Sequence, residues 1–62
     1  MITINFYYNG NLLTTISNMG TKPNLRDLVQ INNVTYQIEG VSYLGKNMYN
    51  VYIGDMKFYV IM

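Results

Sequence analysis

Asp27-Leu28-Val29-Gln30-Ile31-Asn32-Asn33-Val34-Thr35-Tyr36-Gln37-Ile38 decides the fold class of this chain. Apolar and polar residues alternate on both sides of Asn32-Asn33, the period of a strand rather than of a helix. Both Asn residues tolerate the left-handed backbone that a two-residue hairpin turn requires. Pairing 27–31 with 34–39 through that turn puts Val29, Ile31, Val34, Tyr36 and Ile38 on one face. Leu28, Gln30, Thr35, Gln37 and Glu39 fall on the other. After Ile38 the inward phase slips by one residue to Val41 and Tyr43, so a bulge or sharp bend is expected at Gly40. A helical turn at 25–28, capped by Asn24, competes for part of this region but explains fewer residues.

The same pattern recurs on either side. Residues 2–8 and 11–17 flank Asn9-Gly10, a second turn pair, which sets Phe6 opposite Leu13 and Tyr7 opposite Leu12. Ile2, Ile4, Phe6, Tyr8 and Leu13 then form a core face, and Thr3, Asn5, Tyr7, Leu12, Thr14 and Ile16 the opposite one. A third hairpin is expected between 48–53 and 56–62 about Gly54-Asp55, with Tyr49, Val51, Ile53, Met56, Phe58, Val60 and Met62 inward. Its outward face carries Met48, Asn50, Tyr52, Lys57, Tyr59 and Ile61. Between the last two hairpins a loop of Gly45, Lys46 and Asn47 pairs Tyr43 with Tyr49 and Val41 with Val51, with Asn47 left-handed. Residues 18–26, with Gly20, Pro23 and Asn24, read as a loop.

Five to six short strands in 62 residues imply one all-β domain over 1–62: a small SH3-like open barrel or a rolled antiparallel sheet, with an OB-like barrel as the neighbouring possibility. The stretch from Asp27 to Ile38, followed by Gly40-Val41-Ser42-Tyr43, resembles the strand-turn-strand core of small SH3-like proteins of phages and bacterial mobile elements. That resemblance implies a fold and a genomic setting, and it carries over no functional residue. Abundant Asn, Tyr, Ile and Met agree with an A/T-rich coding sequence of that kind.

Composition excludes several function classes. With neither His nor Cys, the usual general base and the strongest nucleophile are missing, so no catalytic residue is assigned. A structural zinc site lacks its ligands, and the five glycines are isolated rather than gathered in a phosphate loop, so neither metal nor cofactor is expected. Asp27, Glu39 and Asp55 read as solvated loop or surface carboxylates. Lys22, Arg26, Lys46 and Lys57 are scattered and the net charge is +1, which disfavours nucleic-acid binding through phosphates. No apolar run approaches membrane-spanning length and residues 1–8 are too short and uncharged for a signal peptide, so a cytoplasmic location is expected, that of the host cell if the chain is phage-encoded.

Binding is what remains. Seven tyrosines are a heavy load for this length, and Tyr8, Tyr36, Tyr43 and Tyr49 fall on core faces. Tyr7, Tyr52 and Tyr59 fall on outward faces beside Leu12, Ile16, Met48, Lys57 and Ile61. The expected binding residues are therefore Tyr7, Leu12, Met48, Tyr52, Lys57 and Tyr59, because apolar side chains grouped on an outer face usually mark an interface. A host protein is the expected partner, held by a small inhibitor that blocks a host enzyme or defence complex. Single-stranded nucleic acid stacked on Tyr is the first alternative, and a structural or nucleotide-sequestering oligomer the second. A folded chain of this size buries only about 60% of its surface and has no staple, so a homodimer or larger oligomer is also expected.

Overall fold

The computed structural model describes residues 1–56 and is all-β. Strands β1 (Ile2–Tyr8), β2 (Asn11–Met19), β3 (Leu28–Ile31), β4 (Val34–Gly45) and β5 (Met48–Asp55) form one sheet in the order β2-β1-β5-β4-β3. The sheet curls into a half-barrel, a small open barrel with its core on the concave side. Ile4, Phe6, Ile31, Ile38, Val51 and Ile53 are buried there, and Ile2, Tyr8, Ile16, Val29, Tyr36, Val41 and Tyr49 pack around them.

The turn chemistry acts as the residues dictate. Asn9 and Gly10 have φ of 52° and 81°, and Asn32 and Asn33 have 51° and 66°, the left-handed pairs of type I′ turns whose twist suits flanking strands. Ile31 pairs with Val34 and Leu28 with Gln37, the register expected around Asn32-Asn33. Tyr43 pairs with Tyr49 and Val41 with Val51, as expected, but Gly45 ends β4 and pairs with Met48, so the turn is Lys46-Asn47 alone, both at positive φ, and Leu44 is the extra residue. The bulge near Gly40 is present too: Ile38 pairs with Ile53 and Gly40 with Tyr52, leaving Glu39 as the extra residue. Residues 25–28 form no helix. Asp27 N–H donates to Asn24 O across a tight turn with Arg26 at φ 70°, and Ile38 N–H and Arg26 N–H then tie that turn to β4 through Asp27 O and Ile38 O.

Three further expectations need correction. First, Phe6 pairs with Thr14, not Leu13, because Leu13 is looped out as a bulge between Tyr7↔Leu12 and Phe6↔Thr14. The slip turns Ile16 onto the core and leaves Leu13 40% exposed. Secondly, Val34 and Tyr43 are exposed, since one abuts the Asn32-Asn33 turn and the other stands near the outer end of β4. Tyr43 instead packs its ring 5.0 Å from that of Tyr49.

Thirdly, Gly54-Asp55 is no turn. β5 runs through both residues, Gly54 pairing with Gln37 and Asp55 with Tyr36, and Gly54 lacks the positive φ that a type II′ turn demands. β5 is in fact the central strand, antiparallel to β4 on one side and parallel to β1 on the other, from Thr3↔Met48 to Tyr8↔Ile53. Over 48–53 both of its hydrogen-bonding edges are taken, by β1 and β4, where the expected hairpin was to set its partner. That partner's residues, 57–62, lie outside the described residues.

Candidate functional site

Parallel pairing of β1 with β5 builds the outer, convex face. Residues opposed in register share a face, so Leu12, Tyr7, Tyr52 and Gly40 form one transverse row across β2, β1, β5 and β4. Tyr7 and Tyr52 stack with ring centroids 5.7 Å apart and planes inclined by 29°, within the range of favourable offset aromatic pairs. Leu12 and Tyr52 remain 56% and 45% exposed, so this row presents a large apolar area to solvent.

Gly40 lets the row lie flat. A Cβ there would come within 3.3 Å of Tyr52 Cδ2, so the Tyr52 ring covers a strip of bare backbone and is held between Gly40 and Tyr7. A second such device sits beside it at Gly54, where a Cβ would stand 2.5 Å from Glu39 Oε1 and 2.6 Å from Oε2. The carboxylate of the bulged Glu39 therefore rests over the Gly54 backbone. Between these features runs a shallow groove of about 420 Å³, lined by Tyr7, Tyr52, Gly10, Glu39, Gly54 and Asp55 among others.

The next row is polar. Thr15 Oγ1 donates to Asn5 Oδ1 at 2.8 Å, and Asn5 Nδ2 donates to Asn50 Oδ1 at 3.0 Å. These bonds run from β2 to β5 and fix the amide orientations, which tie the parallel seam on its outer side. Beyond this row stands Met48, in register with Thr3 and half-exposed. Met48 lies four residues from Tyr52 along β5, about 13 Å at strand rise.

Of the expected binding residues, then, Tyr7, Leu12 and Tyr52 come together in one row, and Met48 shares their face but stands apart. Lys57 and Tyr59 lie outside the described residues, and the pairing that was to bring Lys57 opposite Tyr52 is replaced by Gly40 and Tyr7 on its two flanks. Ile16 belongs to the core. Sequence reading missed Glu39 as a wall of the groove. Its signal was the phase slip after Ile38, which makes Glu39 the looped-out residue.

On the other side of the sheet, Tyr8 Oη donates to Asp55 Oδ1 at 2.7 Å, and the Tyr8 ring meets that of Tyr36 edge-on at 5.2 Å. The hydrogen bond to Asp55, followed by partial burial and the carboxylate's charge, raises the Tyr8 hydroxyl above the ordinary phenol range. Because the folded state holds this proton more tightly, its contribution to stability is present below the unfolded pKa near 10 and is lost as pH rises through the folded value. Spectrophotometric titration is expected to show one tyrosine ionising above the ordinary phenol range. That step should vanish in Tyr8→Phe and move down in Asp55→Asn; an unchanged titration in both variants would remove the bond.

Among the described residues no group of three or more carboxylates is placed to hold a metal ion, and no helix is long and apolar enough to cross a membrane. A second, smaller cavity of about 190 Å³ opens on the core side between Pro23, Leu28, Val29 and Phe6. No protein-family model, curated protein or solved structure matches this chain.

Proposed function

We propose that this chain is a non-catalytic protein-binding module, a small SH3-like inhibitor from a phage or mobile element that binds and blocks a host enzyme or defence complex in the host cytoplasm. The stacked, outward-facing Tyr7–Tyr52 pair beside Leu12 supports this reading. Aromatic side chains give much contact area for little conformational entropy, and interface anchors are enriched in Tyr. The single-stranded nucleic-acid reading draws on the same rings as stacking platforms. Against it stands the Glu39 carboxylate at the adjoining groove, where a nucleic-acid groove places cations. Self-association remains part of the proposal, since the domain is small and unstapled.

The test is co-purification of tagged protein from a lysate of the carrier bacterium, with nuclease-treated lysate and the Tyr52→Ala variant alongside. One protein in stoichiometric amount is expected on the native chain in both lysates and not on the variant. Recovery of nucleic acid, or equal recovery on Tyr52→Ala, would overturn the reading. Light scattering of the purified chain at micromolar concentration checks self-association; a monomer there removes that element.

A further inference from the structure

We infer that the groove beside Tyr7 and Tyr52 receives an arginine side chain presented by the protein partner. This deepens the reading above and rests on it. Three features of the groove suit a guanidinium group. The first is a flat aromatic wall: Tyr52 is stacked on Tyr7 and backed by Gly40, so its ring is already held in place before anything binds. A planar cation stacks on such a ring and is attracted by its π-face. The second is the Glu39 carboxylate, positioned over Gly54 in the same groove, with both oxygens on the outer side of the sheet. A carboxylate accepts two parallel N–H bonds from guanidinium, the strongest neutral-pH geometry for that pair.

The third feature is the supply of further acceptors. Asn9 and Gly10 bring the backbone of a left-handed turn to the edge of the groove. Lys46 sits at the opposite end of β5, in the turn before Met48. This end of the outer face thus pairs an aromatic wall with the Glu39 carboxylate, the complement of an exposed arginine. Lysine fits less well, because its ammonium is a strongly hydrated point charge without a plane to stack. The groove is shallow, so it takes one side chain and not a folded element, and the exposed Leu12 continues the contact beyond it.

The experiment is an NMR titration of the full chain with blocked tripeptides Gly-Arg-Gly, Gly-Lys-Gly and Gly-Glu-Gly. The arginine peptide is expected to shift the amides of Glu39, Gly54 and Tyr52, the lysine peptide to do so less, and the glutamate peptide not at all. Glu39→Gln, which keeps size and polarity, should weaken the arginine response by about tenfold, as loss of a charge-assisted hydrogen bond does. Equal responses to the arginine and glutamate peptides, or no response to arginine at millimolar peptide, would overturn the inference. Failure of the parent reading is separable: a captured partner that survives Glu39→Gln but is lost with Tyr52→Ala sinks the arginine alone, whereas survival in both sinks the binding face as well.

Discussion

Phe6→Ala is expected to abolish cooperative folding. Phe6 is 1% exposed, stands on β1 in register with Val51 of the central strand, and with Ile4 and Val51 forms the most deeply buried part of the core. Cutting a buried Phe to Ala costs about 3 to 5 kcal/mol from lost transfer energy and the cavity left behind. A domain of this length has a total stability of about 3 to 9 kcal/mol at ordinary per-residue values. The loss is therefore comparable to the whole. Relief by collapse is restricted, because Phe6 is flanked by β2 on one side and β5 on the other and its strand cannot shift without breaking both ladders. Circular dichroism against temperature should show a cooperative melt for the native chain and none, or one displaced far downward, for Phe6→Ala. Leu13→Ala is the control from the neighbouring strand: it is looped out and exposed, so its melt should stay close to native. A collapsed melt for Leu13→Ala as well would mean that β1 and β2 pair in the unbulged register, with both residues inward.

That control marks the boundary of what the sequence discloses. Turns were legible because their chemistry is local: Asn9-Gly10, Asn32-Asn33 and Asn47 each announce positive φ through residue type alone, and all three adopt it. The bulge at Glu39 was legible for a different reason, since an apolar phase that slips from Ile38 to Val41 leaves no other placement for the extra residue. The bulge at Leu13 left no such trace. Leu12 and Leu13 are both apolar, so the pattern reads equally well with either one inward, and only the packing of Ile16 against the core decides it. Strand order was the least accessible. Gly54-Asp55 has the composition of a turn, yet β5 runs straight through it, because β4 continues to pair with it through Gln37↔Gly54 and Tyr36↔Asp55. Local propensity yields here to the continuing ladder. Side-chain alternation places Tyr7, Leu12, Met48 and Tyr52 outward, where the structure has them. What joins Tyr7, Leu12 and Tyr52 into one row is the parallel β1–β5 seam, a contact between segments more than forty residues apart that no hairpin rule reaches.

Tyr52→Ala should separate binding from folding. Tyr52 is 45% exposed and its ring lies on the outer face, against Tyr7 and over the backbone at Gly40, so its removal opens no cavity in the core. Its neighbours on β5, Val51 and Ile53, are 0% and 4% exposed and keep the strand in place. The stability cost is thus limited to an outer-face aromatic pair, about 0.5 to 1.5 kcal/mol beyond lost area, which leaves the domain folded. For a partner seated on this face the loss is greater in relative terms, about 1 to 3 kcal/mol of binding energy, or about five- to 150-fold in Kd. Tyr7→Ala should act in the same direction, and the double variant should lose less than the sum of the two, because each ring holds the other in position and one substitution already frees its neighbour. Calorimetric titration of the purified partner into the native chain and the three variants, with a melt recorded for each, gives both quantities from the same samples. Strictly additive losses would show that the two rings bind independently; unchanged Kd values with lowered melting temperatures would place the pair in the structural support of the sheet and remove it from the interface.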